Sequence, residues 1–344
     1  MTDGRGRLVR PDISFSIHPK TYKLTVSYNG VTLTCDGPPY ESSEKNYVTQ
    51  LYAQRKSQRT PTPTCYIAII RERPTPYSEE EEFLQAETRM GLLVAALLIG
   101  NQYHGRIVIK QPGEELFSWI TTRAIRPPGI PSNARLWIGL LSIGAVKTIH
   151  DADYMHGDVK MENMILFATG DFKHHKAVAI DFEFAEAMQP EEMKTRRAQI
   201  GTSDTIPLSM GTPGYIAPES EKGYYSLATD IYALGWTLLR ILCTNAAHVT
   251  RLKKGKEVWT AKTLKHLIMG SGIIPRQAEE LSALISSMLA RDRMHRPSCT
   301  KVRAEYERIT ELHLPERPAP QPRTAMLFLE ELASPDPERI AELI

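Results

Sequence analysis

Residues 156–163 read His-Gly-Asp-Val-Lys-Met-Glu-Asn and place Asp158, Lys160 and Asn163 in one short loop. An aspartate and an asparagine five apart suit a loop in which Asp158 handles a substrate proton and Asn163 holds a metal ion. Further on, AVAIDFEFAE (177–186) runs an apolar strand pattern into Asp181. MILF (164–167) reads as the strand before it and TGDFKHH as the turn, so a hairpin brings Asn163 and Asp181 to one place. Phosphoryl transfer from ATP needs Mg²⁺ bridging phosphate oxygens, a carboxylate to orient the attacking hydroxyl, and cations to spread developing charge. Asp158, Lys160, Asn163 and Asp181 supply those parts in order. One aspartate after a strand is ordinarily a turn residue or a cap; four groups at this spacing read as a site.

The 344 residues accommodate one large bilobal domain or two ordinary ones. An apolar fraction of 42%, a charged fraction of 24% and a net charge of +2 are those of a globular chain, and they argue against a dedicated nucleic-acid binder. Cys35, Cys65, Cys243 and Cys299 form no CxxC pair and read as free thiols in a reducing compartment, cytoplasmic or nuclear. The opening MTDGRGRLVRPD lacks the apolar stretch of a signal peptide. The longest apolar run, Met90–Ile99, is about half a membrane span and reads as a buried core segment, so no membrane partner is expected.

Stepping outward from the loop, residues 1–12 read as a disordered arm. Alternating segments follow at 22–28 and 31–35 around Asn29-Gly30, a hairpin dipeptide, and at 47–54 and 65–70. Residues 36–46 read as a loop. SEEEEFLQAETRMGLLVAALL (78–98) has a serine cap, acidic residues in its first turn and helical apolar spacing. GRIVIK (105–110) reads as a strand, 114–123 as the start of a helix and 134–150 as a long apolar helix. From there to 312 the pattern is mostly helical, with PERPAPQPR (315–323) as a linker and TAMLFLEELA as a closing amphipathic segment. Strands segregated from helices predict an α+β fold: a small β-rich lobe at about 13–111, a larger helical lobe at about 112–312, and a tail at 313–344.

Three more segments give the loop a context. They are GTPGYIAPE (211–219), SLATDIYALGWTLLRILC (226–243) and LSALISSMLARDRMHRPS (281–298). Over roughly residues 30–312 the chain resembles a eukaryotic-type protein kinase. Lys160 and Thr212 resemble the serine/threonine branch, and the uneven divergence resembles kinases of large DNA viruses in a host cell. The resemblance implies that protein substrates are phosphorylated, with ATP and Mg²⁺ as cofactors. It implies Asp158, Lys160 and Thr212 as catalytic groups, Thr212 bonding to the other two, and Asn163 and Asp181 as metal ligands. It also implies His156 as a structural residue of the loop, Glu219 and Arg296 as a buried ion pair, and Asp230 as the anchor of the loop backbone. Adenine would meet a hinge near Val108–Pro112, which includes Lys110.

Four departures from that family stand out. The Gly-rich phosphate loop is absent; its region holds Gly37 and two prolines that cannot donate N–H bonds. The strand lysine is replaced by Ile70, and Arg71, one position later, serves only through a bulge or a register shift; its helix partner would be Glu87, with Glu82 as second choice. DFG becomes Asp181-Phe182-Glu183, losing the glycine. HRD becomes His156-Gly157-Asp158, losing the arginine that pairs with a phosphate on the activation segment, where Thr202, Ser203, Thr205 and Ser209 are candidate sites. Two other readings compete: a pseudokinase acting as scaffold or decoy, and a small-molecule kinase of the choline or aminoglycoside type, which shares the HGD and IDFE spellings but not the three C-terminal segments. Oligomeric state is left open.

Overall fold

The computed structural model describes residues 13–17, 24–28, 31–34, 40–43, 46–53, 65–72, 82–90, 93–99, 103–109, 113–124, 129–167, 175–190, 192–195, 197–200, 204–207, 209–243, 249 and 260–315, several of the strands as backbone alone. The chain divides into two compact units, Met1–Lys110 with Gln321–Ile344, and Gln111–Pro320.

The first unit is an antiparallel sheet with one described helix. Its strands are β1 (Ile13–Ile17), β2 (Leu24–Tyr28), β3 (Val31–Thr34), β4 (Tyr40–Ser43), β5 (Asn46–Ala53), β6 (Cys65–Glu72), β7 (Leu93–Ile99) and β8 (Tyr103–Ile109), in the order β1-β2-β3-β5-β6-β8-β7 with β4 on β5. β2 and β3 pair Tyr28 with Val31 across Asn29-Gly30. Two expectations need correction. Residues 36–46 are not all loop, because β4 pairs with β5 through Ser43 and Asn46. The long helix over 78–98 is also not formed: α1 spans Glu82–Arg89, and the apolar run beyond it is strand β7. A short aliphatic run fits either period; here its backbone groups pair with β8, from Leu93–Val108 to Ile99–Tyr103.

Five candidates fall in this unit. β6 keeps its register with both neighbours through Glu72, placing Arg71 opposite Asn46 and His104. Ile70 and Arg71 are therefore successive, unbulged positions, which alternate between the sheet's faces. The bulge that would exchange them is absent. Val108 lies in β8 opposite Ile67. Glu87, on α1, is 2% exposed. Gly37 and Lys110 lie outside the described residues, as do Ser78, the arm 1–12, the tail beyond Pro315, and Thr202 and Ser203.

The second unit is helical around a continuous apolar core. It opens with β9 (Glu114–Glu115) and α2 (Leu116–Ala124), so Glu114 and Glu115 are strand rather than helix. β9 pairs with β11 (Met164–Phe167), which also pairs with β12 (Lys176–Ala179). Two helices fill the centre, α3 (Ser132–His150) and α4 (Leu227–Leu242). Both are apolar on nearly every side, the pattern of helices surrounded by protein; Ile138, Leu140, Ile143, Val146, Leu234, Leu238 and Leu239 are at most 1% exposed. Around them lie α5 (Ala261–Met269), α6 (Pro275–Met288) and α7 (Cys299–Thr310). Thr260 and Ser298 cap α5 and α7 by accepting from Thr263 N and Lys301 N, and Pro275 opens α6, where its missing N–H costs nothing. Short strand pairs decorate the segment after Asp181: β13 (Glu186–Ala187) on β10 (Tyr154–Met155), β14 (Lys194–Thr195) on β17 (Tyr224–Tyr225), and the hairpin β15 (Arg197–Ile200) and β16 (Asp204–Pro207). Among the described residues no helix is long and apolar enough to cross a membrane.

α3 and α7 cross where Gly139 meets Tyr306. The buried Tyr306 hydroxyl donates to Leu136 O at 3.0 Å, and a Cβ on Gly139 would lie 2.3 Å from that hydroxyl. Gly139→Ala is therefore expected to destabilise the protein by about 1–3 kcal/mol in urea unfolding, the usual cost of overpacking. The Tyr306→Phe background, without the oxygen, should recover part of that loss.

Candidate active site

The loop at 156–163 is suspended from α4. Asp230, 1% exposed in the first turn of that helix, accepts from His156 N at 2.7 Å and from Gly157 N at 2.9 Å, and contacts His150 Nε2 at 3.0 Å. The His156 ring closes the loop from within. Its Nε2 lies 3.0 Å from Ile180 O and its Nδ1 3.2 Å from Asp158 N. A carbonyl on one side and an N–H on the other assign the neutral ring with the proton on Nε2. Phe182, fully buried, packs against this ring with centroids 4.9 Å apart.

Asp158 is 6% exposed, and four donors converge on it. Thr212 N and Oγ1 reach Oδ1 at 2.8 and 2.7 Å. Lys160 Nζ and Asn163 Nδ2 reach Oδ2 at 2.5 and 3.0 Å. Lys160 Nζ also donates to Thr212 Oγ1 at 2.7 Å. Aspartate, lysine and threonine thus form a closed ring of hydrogen bonds, and a carboxylate has about four lone-pair positions to offer. The orientation of Asp158 is fixed by these four donors. Gly211 permits the close approach of Thr212: its φ is +94°, and a Cβ there would sit 3.0 Å from Gly157 O.

Asn163 and Asp181 come together through the β11–β12 hairpin. Met164 pairs with Ala179, and Ile180 N donates to Asn163 O at 2.9 Å, which puts Asp181 one residue past the partner of Asn163. Both side-chain contacts of Asn163 use its nitrogen, on Asp158 O and Oδ2 at 3.0 Å, so the amide oxygen is what it offers a cation. Asp181 is exposed and sits at φ +64°, a region that costs a non-glycine residue about 1 kcal/mol or more. Two hard oxygen donors suit Mg²⁺, which keeps several waters and takes few protein ligands. Among the described residues no cluster of three metal-ligating carboxylates, imidazoles or thiols occurs. Glu183, in the place of the family's glycine, takes no left-handed backbone angle; the strained residue is Asp181.

Glu219 and Arg296 form a two-pronged pair, Nη1–Oε1 at 2.6 Å and Nη2–Oε2 at 2.8 Å. The Arg296 side chain is fully enclosed and also donates to Ala290 O and Ala228 O. Thr229 Oγ1 reaches Glu219 at 3.3 Å, and Tyr232 lies under the guanidinium.

Gly157 has φ +79°, and a Cβ on it would lie 2.6 Å from Phe184 O, 2.7 Å from Phe184 Cβ and 3.0 Å from Met210 Cε. The space beside it is filled by a small apolar cluster, Met155, Met188, Met210 and Tyr225, with Phe184 and Leu227 packed on it. Tyr225 Oη donates to Glu186 Oε2 at 2.9 Å, tying β17 to β13.

Sequence reasoning missed several participants. His150 ends the helix before the loop, and a histidine six residues ahead of His156 is the signal that was available. Glu162 and Arg240 were also missed; Arg240 is the one charge in the last ten residues of an otherwise apolar helix. Arg240 Nη1 donates to Tyr215 Oη at 2.9 Å and lies 3.7 Å from Glu162 Oε1. Tyr215 is 5% exposed, and its phenol is pushed up to about 12, first by burial and then by the nearby charge of Glu162.

This geometry is that of the larger unit of a protein-kinase-type α+β fold. The chain belongs to the protein kinase domain family, which matches residues 111–306, more than half of its length and all within the second unit. CBL-interacting serine/threonine-protein kinase 16 of Arabidopsis thaliana is 34% identical over 132 residues, covering 38% of this chain and 26% of that protein. The membrane-associated tyrosine- and threonine-specific cdc2-inhibitory kinase of Drosophila melanogaster is 26% identical over 169 residues, covering 49% and 27%. A mimivirus protein named for serine/threonine kinase activity is 25% identical over 166 residues, covering 47% and 51%. The chain thus spans about a quarter to a half of the length of these relatives.

Two substitutions test this construction. Arg296→Ala should cost about 3–5 kcal/mol in chemical denaturation, because it leaves the Glu219 carboxylate partly buried without its partner. Gly157→Arg should cost about 2–5 kcal/mol, the sum of a left-handed angle and overpacking against Phe184 and Met210. A Gly157→Arg protein as stable as the parent would mean that the loop accepts a different backbone.

Proposed function

We propose that the chain transfers the γ-phosphoryl group of ATP to serine or threonine hydroxyls of protein substrates. The single observation that carries this reading is the closed ring of Asp158, Lys160 and Thr212. A carboxylate fixed at both oxygens, with a lysine and a hydroxyl beside it, is arranged to receive a hydroxyl group in one orientation. Asp158 orients the acceptor hydroxyl and takes its proton. Lys160 steadies the negative charge on the group being transferred. Thr212 holds both in register from the acceptor side. Asn163 and Asp181 would hold Mg²⁺, which when bound neutralises charge on the phosphate oxygens. Glu87, Val108, Arg71, Lys110 and Gly37 belong to the nucleotide side of this reading. Membership of the protein kinase family supports a protein acceptor over choline or an aminoglycoside.

Transfer of radiolabelled phosphate from ATP to generic protein substrates should fall by about 10²–10⁴ in Asp158→Ala, the range of a positioned general base. Equal signal in parent and variant would sink the proposal. A melting temperature unmoved by ATP, with or without Mg²⁺, would favour the scaffold reading instead.

A further inference from the structure

The sheet of the first unit ends at β1. Among the described residues β1 pairs with β2 and with no other strand, so one row of its N–H and C=O groups points away from the sheet. Its sequence, Ile-Ser-Phe-Ser-Ile over 13–17, reads the same in both directions. It holds none of the charges or prolines that ordinarily blunt an edge, and it keeps register with β2 without a bulge, from Ile13 opposite Tyr28 to Ile17 opposite Leu24. The strand at the other end, β7, differs. Its pairing with β8 shifts register between Leu93 and Ala95, and it is apolar at every position, the pattern of a strand covered on both faces.

The register assigns both faces of this end of the sheet. Ile13, Phe15 and Ile17 lie opposite Tyr28, Val26 and Leu24, while Ser14 and Ser16 lie opposite Ser27 and Thr25. Alternation therefore makes one face apolar and gives the other only hydroxyls. The register also tells which backbone groups point outward. A two-residue connection closes on a bonded pair, here Tyr28 and Val31. Bonded and non-bonded pairs alternate along antiparallel strands. On β2, Tyr28 and Val26 thus bond to β3, and Ser27 and Thr25 bond to β1. Ser14 and Ser16 are then the inward-bonding residues of β1, and Ile13, Phe15 and Ile17 present their N–H and C=O groups to the outer edge.

We propose that β1 is an interface at which the chain pairs with a second copy of itself, the two β1 strands running antiparallel about a two-fold axis at Phe15. The palindrome makes the edge match itself: Phe15 lies opposite its own copy, Ile13 opposite Ile17, and Ser14 opposite Ser16 across the axis. The three outward-bonding residues of each strand supply about six backbone hydrogen bonds. The apolar face continues across the seam, and no like charges are set against each other. Both copies use the same patch, so this contact closes at two. The inference does not depend on the kinase reading.

Sedimentation velocity of the full chain over the micromolar range should show a monomer–dimer equilibrium. The double variant Ser14→Lys, Ser16→Lys sets lysine against lysine at two places in the seam and should raise the dimer Kd by about tenfold at low salt. The double variant Ser14→Lys, Ser16→Glu sets lysine against glutamate at the same places and should associate at least as tightly as the parent; a parallel, in-register pairing would oppose like charges instead. A parent that is monomeric at every concentration, or a dimer with the same Kd in both charge variants, overturns the inference. Hydrogen exchange on the parent gives a measure that needs neither variant to fold. The amides of Ile13, Phe15 and Ile17 should exchange about tenfold more slowly well above the Kd than below it, and those of Ser14 and Ser16 should be protected at both concentrations. Protection of Ile13, Phe15 and Ile17 that does not change with concentration would mean that a segment of the same chain covers the edge. Fast exchange at every concentration would mean that no second copy does. Either result overturns the inference.

Discussion

The carboxylate of Asp230 decides the shape of the loop that carries the chemistry. Both of its oxygens are used, on two consecutive backbone N–H groups and one imidazole. Hydrogen bonds to an ionised group contribute about 1.5–3 kcal/mol each and leave a large penalty when broken. Two successive N–H groups converge on one carboxylate only if the backbone turns sharply between them, and Gly157 makes that turn. The turn delivers Asp158 to Thr212. The rigidity of the loop is thus borrowed from α4, a helix held on nearly every side by the apolar core, and the loop needs little stiffness of its own.

Every described partner of Asp158 and Asp230 lies between residues 150 and 230, inside the second unit. The described hydrogen bonds of the loop are thus internal to the second unit. A replacement within 150–230 therefore bears directly on the ring around Asp158.

What was legible in the sequence followed from how local the cause was. The helices α3 and α4 announce themselves by largely apolar runs, and the hairpin joining Asn163 to Asp181 by two short strands and a polar turn. The strand β7 was hidden because MGLLVAALLI carries no period that distinguishes strand from helix, and its pairing with β8 is a matter of neighbours. β4 was hidden behind two prolines and a run of turn formers, yet Ser43 and Asn46 close a tight reversal. The ring around Asp158 was readable because its loop and the GTPGY segment resemble those of the protein kinase family, which implies the bond from Thr212. Arg240, ten residues after Asp230, was not, since its reason for being there lies across space in Glu162 and Tyr215.

Gly157 also limits what its neighbours can carry. The volume an arginine would need at this place is occupied by the backbone of Phe184 and the tip of Met210, and the turn itself lies where side chains are disfavoured. An arginine here needs a new path for the loop, a withdrawn Phe184 and room beside Met210, so the packing of Phe184 and Met210 against the loop depends on position 157 having no side chain.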